Sequence, residues 1–179
     1  MAVSKNIILG SGKLYLAKYT GETFDASTVA VEANQIGLVK GGASIEYKPT
    51  TTEIYDDLKV VHKRFITGEE VVFKTGLITF DLNALATIAG DASYTTATGT
   101  KTLKLGGKEG REIQKLALVF VHTKSDNKSI TVSMVATNEA GLNLAFKPDE
   151  ATQIDAEFKA VSMDDNGVLV QIEEEVENA

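Results

Sequence analysis

Few residues in this sequence could do chemistry. His62 and His122 fall in separate apolar runs, and neither has a carboxylate at metal-ligand spacing. Both therefore read as structural rather than as ligands or general bases. The stretch "SMDDNGVLVQIE" comes nearest to a metal site. Gly167 stands at the sixth position of a calcium-loop pattern, Asp164 and Asn166 at the third and fifth, and Glu173 at the twelfth. Ser162 occupies the first position, and Val168, Val170 and Ile172 alternate as a strand does, which turns Glu173 away from that apolar set. A hairpin is the better reading. Gly10-Ser11-Gly12-Lys13 and Gly106-Gly107-Lys108 both lack the upstream glycine and the Ser/Thr after lysine that a phosphate-binding loop needs. With no cysteine, disulfides, thiolate metal sites and cysteine nucleophiles are excluded together. The expectation is a chain with no catalytic, cofactor-binding or metal-binding residue, and so no enzyme.

The elements that would position such residues are mostly strands. Lys13 to Ala17 reads as a short strand after a flexible segment at about 1–12, and residues 20–34 read as loop. Ile36–Lys40 and Gly42–Lys48 are apolar-rich, with Gly41-Gly42 suggesting a bend or bulge between them. Ala43, Ile45 and Tyr47 alternate with polar residues until Pro49, which ends the pattern. Val60–Ile66 and Glu70–Lys74 flank Thr67-Gly68-Glu69, which reads as a hairpin turn, and Leu77–Phe80 is a further strand. One helix is expected at about 81–90. Leu82, Leu85, Ala86 and Ala89 share a face, Asp81 is placed to cap the start, and Gly90 suits the left-handed position past the end.

Residues 91–111 are weakly patterned, with a strand suggested at Lys101–Leu105. Ile113–Val121 is nearly continuous in apolar character, which predicts a strand covered on both faces. Ser129–Val135 alternates with Ile130, Val132 and Met134 on one side. Ile154–Ala160 and Val168–Ile172 alternate on either side of Asp164-Asp165-Asn166-Gly167, a hairpin signal. Sandwich and barrel share this pattern.

Length and charge bound the function. At 179 residues the chain suits one domain with a sizeable core. A net charge of −7 argues against an ordinary nucleic-acid binder, which needs a basic patch to displace counterions. Ten carboxylates against one lysine lie from Asp149 onward, which predicts a solvated face and an acidic tail at about 173–179. No signal peptide is visible, and no run approaches the ~18 apolar residues of a membrane span, so a cytosolic product is expected.

Four stretches together resemble a known family. "LGSGKLYLAK", "IGLVKGGASIEYKPTTTEIYDD", "TGEEVVFKTGLITFDLNALATIAG" and "ATQIDAEFKAVSMDDNGVLVQIEEE" follow the order of elements in the major tail protein, the tail tube subunit of tailed bacteriophages and phage-tail-like particles. The resemblance implies a mainly β, sandwich- or barrel-like subunit with one short helix and a long extended hairpin at about 47–73. It implies hexameric rings that stack into a tube for DNA passage, with self, tape-measure and baseplate or terminator proteins as partners and the virion tail as location. DNA would be in transit only, past an acidic lining that does not hold it. The inter-subunit contacts implied on the hairpin are Tyr47, Ile54, Tyr55, Leu58, Val60, Val61, Phe65, Val71 and Phe73. The rival readings are a monomeric β-sandwich binding module and another tail component, such as a completion or baseplate ring.

Overall fold

A computed structural model describes residues 12–21, 23–90, 92–107, 109–110, 112–144 and 153–176. The fold is mainly β, sandwich-like, and built on a large antiparallel sheet. In chain order the elements are β1 (Gly12–Lys18), α1 (Ala26–Val29), a 3-10 turn (Glu32–Asn34), β2 (Val39–Tyr55), β3 (Val61–Leu77), α2 (Leu82–Ala89), β4 (Ser93–Ala97), β5 (Thr100–Lys104), β6 (Leu116–Thr123), β7 (Ser129–Thr137), β8 (Asn143–Leu144), β9 (Ile154–Val161) and β10 (Gln171–Glu174).

The sheet runs β1-β6-β7-β9-β3-β2, with β8 beside β9, β10 beside β7, and β4-β5 as a separate ribbon. Its two ends approach each other around the stretch before β2. The Ile36 N–H donates to the Leu14 carbonyl of β1 at 2.8 Å, and the Leu38 carbonyl accepts from Ile78, just past β3, at 3.0 Å. The sheet therefore curls around one core, where Leu16, Phe73, Leu118, Met134 and Phe158 meet.

Helix α2 covers that core. Asp81 caps it, accepting from the Ala84 N–H at 3.3 Å, and Gly90 ends it at φ 71°. Leu85 and Ile88 are its buried residues, so Ile88 takes the inward place expected of Ala86 and Ala89. The helix is too short to persist unpacked, and burial of this pair is what holds it. Strand β6 is apolar on both faces because both are covered. Leu116, Leu118 and Phe120 point into the core, while Ala117 and Val119 pack with Val29 of α1 on the other side.

The structure redraws several sequence expectations. Ile36–Lys40 and Gly42–Lys48 belong largely to one strand, β2, with the expected bulge at Gly41-Gly42 seen as a register shift between Lys40 and Ala43. Pro49 does not end β2 but pairs with Glu69 inside it. This is possible because β2 is an edge strand, where a residue lacking an N–H is tolerated. Thr67-Gly68-Glu69 is not a turn but a second bulge within β3, where the register slips between Thr50 and Thr51. The turn is Asp56–Val60, closed by the Lys59 N–H on the Asp56 carbonyl at 2.9 Å with Lys59 at φ 62°. Leu77 ends β3, and Ile78–Phe80 is not strand.

Segments taken as loop also gain structure. Residues 20–34 include α1, capped by Asp25, and residues 91–111 include the β4-β5 hairpin, with β5 close to the expected strand. Most of the flexible segment expected at 1–12 lies outside the described residues, while Gly12 opens β1. Of the acidic tail, Glu173 and Glu174 belong to β10, and 177–179 lie outside the description.

The closing pair is not a hairpin. β10 pairs with β7 (Gln171↔Ser133 to Glu174↔Ile130), and the end of β9 pairs with the same edge of β7 (Val161↔Val135). The two behave as one strand interrupted by an excursion over 162–170. Within it Asp164 Oδ1 accepts from the Asn166 and Val168 N–H groups at 2.9 and 3.1 Å, an Asx-type turn.

Candidate assembly surface

Strand β3 pairs with β9 only from Val72 to Leu77, whereas β2 and β3 pair with each other out to Tyr55 and Val61. Beyond Tyr47 and Val71 the hairpin therefore has no third strand among the described residues. From Lys48 to Tyr55, at about 3.3 Å per residue, it projects about 25 Å from the body. A two-stranded ribbon alone is marginal in water. This one also carries apolar side chains in the open: Tyr47, Ile54, Tyr55, Leu58, Val60 and Phe65 are all exposed, Leu58 to 84%.

Register sorts these side chains by face, since residues opposite each other share one. Ile45 faces Phe73 and Tyr47 faces Val71, so this row continues the core side outward. It then passes Thr51↔Ile66, Glu53↔Arg64 and Tyr55↔Val61. Ile54, opposite Lys63, lies on the other face, diagonal to Phe65, which is opposite Thr52. Both faces of the arm thus present apolar groups.

Polar contacts stiffen it. The Tyr47 hydroxyl donates to Glu69 Oε1 at 2.6 Å, which holds the phenol above its ordinary pKa. Glu53 accepts from the Tyr55 hydroxyl and from Arg64 Nε, and the two bonds, Tyr55 first, hold its carboxyl below the usual range. At the tip, Asp56 Oδ1 accepts from the Leu58 and Val60 N–H groups, each at 2.9 Å, while Oδ2 lies 2.9 Å from His62 Nε2. His62, then backbone donors, keep Asp56 below the ordinary carboxylate pKa.

Most of the expected contact residues stand on this arm. Tyr47, Ile54, Tyr55, Leu58, Val60 and Phe65 are on its surface, and Val61 is half-buried near the turn. Val71 and Phe73 are not available to a second copy. They are 1% and 0% exposed in the chain's own core cluster, where Phe120 of β6 packs on Phe73. Sequence reasoning missed Ile66, exposed to 60% on the core-side row. The adjacent pair Phe65-Ile66 was a usable signal, since in a strand both cannot face inward.

The residues weighed for chemistry do not converge. His62 meets Asp56 across the tip, a carboxylate that sequence spacing did not flag, whereas His122 is buried in β6. Glu173 accepts from Gln171 on β10 at 2.9 Å, apart from the Asp164 turn. No cluster of three or more His, Cys, Asp or Glu residues arranged for a metal occurs among the described residues. No helix among them is long and apolar enough to cross a membrane. No protein-family model matches the chain, and no curated protein matches it in sequence.

Proposed function

We propose that this chain is a structural subunit that assembles with copies of itself, its β2-β3 arm lying on a neighbour. The reading is a tail-tube-like protein with no enzymatic step, forming rings, hexameric by family resemblance, that stack into a channel for DNA in a virion tail. The observation that carries it is the arm: seven exposed large apolar residues, Ile66 included, on a two-stranded projection. A concentration of exposed apolar side chains of this kind marks an interaction site in a protein that must stay dispersed. Two further features support the reading. β2 leaves a 17-residue edge without a neighbour among the described residues, an aggregation liability that pairing or cover by another subunit removes. The net charge of −7 suits a conduit that does not retain a polyanion.

Negative-stain electron microscopy of the purified protein at rising concentration, with sedimentation alongside, tests this. Rings or tubes with a central channel are expected. A monodisperse monomer, both alone and co-expressed with a baseplate-type initiator, overturns the reading in favour of a monomeric binding module.

A further inference from the structure

The two ends of the arm are complementary. At its base lies an open cleft of about 460 Å³. Much of its wall is backbone and small side chains, including Gly41, Gly42, Ala43, Gly76, Gly141 and Ala156. The local chain demands them. Gly41 and Gly42 turn the β2 bulge at φ 81° and 79°, a region side chains rarely adopt, and a Cβ at Gly76 would stand 2.8 Å from the Lys40 carbonyl oxygen. Of the charged groups in the wall, Lys74 pairs with Glu157 at 3.1 Å, while Asp155 accepts from the neutral Gln153 amide at 2.7 Å, keeps its charge and has no ionic partner among the described residues. Lys40 is exposed and has no ionic partner among the described residues.

The tip has the opposite character. Two hydrogen bonds to Asp56 shape the turn, and Leu58 stands 84% exposed at its end. Asp57 beside it is exposed and likewise has no ionic partner among the described residues. An apolar knob next to a carboxylate thus corresponds to a small-walled cleft next to an ammonium.

We propose that Leu58 and Asp57 of one copy dock into the Gly41-Gly42 cleft of a second copy, with Asp57 meeting Lys40. The occupant is a second copy because the chain's own tip cannot reach. From Ser44 to Tyr55 the paired strands hold tip and cleft about 35 Å apart. Such a tip-to-base contact is heterologous and generates a ring or an open chain according to the rotation between copies. This inference rests on the self-assembly reading above and names the surface that receives the arm.

A charge swap in the full-length chain tests it. Asp57→Lys and Lys40→Asp each set like charges together, and each should lower the assembled fraction about tenfold at fixed concentration, while the double variant recovers assembly. A double variant no better than the singles, or singles that assemble like the parent, overturns the docking even though the parent forms rings. A parent that never assembles overturns the self-assembly reading itself, and the docking with it.

Cysteine trapping gives an independent readout, since the chain has no native cysteine. Leu58→Cys protein mixed with Ala43→Cys protein should yield mostly the mixed disulfide on oxidation. Predominant Leu58→Cys self-linking would indicate a tip-to-tip contact and overturn the proposal.

Discussion

Asp56 and His62 face each other across the arm's turn, Oδ2 to Nε2 at 2.9 Å, while the other Asp56 oxygen holds the Leu58 and Val60 amides. One carboxylate therefore fixes both the turn and the position of the most exposed apolar side chain of the arm. Its pKa is depressed in the folded arm, chiefly by His62 and then by the backbone donors. The stabilisation is thus present above the unfolded carboxylate value of about 3.9 and is lost as pH falls through the lower folded value. Amide protection at Leu58 and Val60 should hold from neutral pH to about pH 5 and decline below about pH 4. Asp56→Ala should lack that protection at every pH. Hydrogen exchange read by NMR decides, and an unchanged profile in the variant would refute the role of Asp56.

Ile54 and Tyr55 point to opposite faces of the arm, at 49% and 56% exposure. Replacing both with Asp removes apolar cover from both faces without touching the core. The double variant should fold as the parent does, with the same thermal midpoint within a few degrees, and fail to form rings or tubes. Full assembly by a folded variant would count against the arm as an interface.

Phe65 and Phe73 lie on the same strand and should respond in opposite ways. Phe73 is fully buried and packs with Phe120 at a ring-centroid distance of 5.6 Å, whereas Phe65 is 52% exposed. Phe73→Ala should destabilise by about 3–5 kcal/mol through the cavity it leaves. Phe65→Ala should stay within about 0.5 kcal/mol and act on assembly instead. Urea unfolding of the two variants, followed by sedimentation, separates the roles.

Legibility in the sequence follows how local each feature is. The α2 boundaries could be read because Asp81 and Gly90 act on their own helix ends. β6 could be read because two covered faces leave an unbroken apolar run. The arm could not be drawn from period alone. Its turn is made by Asp56 bonds and a left-handed Lys59 rather than by an Asn-Gly pair, while Pro49 and Gly68, which look like breaks, are an edge residue and part of a bulge. That β10 extends β9 along β7 depends on a neighbour distant in sequence, which the alternation of Val168 and Ile172 does not encode. Val71 and Phe73 belong to the chain's own core for the same reason, because core residues distant in sequence, Phe120 among them, cover them.

Asn138 joins the helix to the sheet, and its removal should loosen that joint first. It is 7% exposed just after β7, where its Nδ2 donates to the Ile88 carbonyl at 2.8 Å and to the Gly141 carbonyl at 3.0 Å. Its Oδ1 accepts from the Gly141 N–H at 3.0 Å, so both ends of the amide are used. The Ile88 carbonyl belongs to the last turn of α2, where intrahelical donors run out, and Asn138 supplies one from another element. Asn138→Ala would leave that buried carbonyl and the Gly141 amide without this partner, a loss of about 1–3 kcal/mol. Amide protection should fall in α2 and the 138–141 turn ahead of β6 and β7. Uniform loss across the sheet would show instead that helix and sheet unfold as one unit.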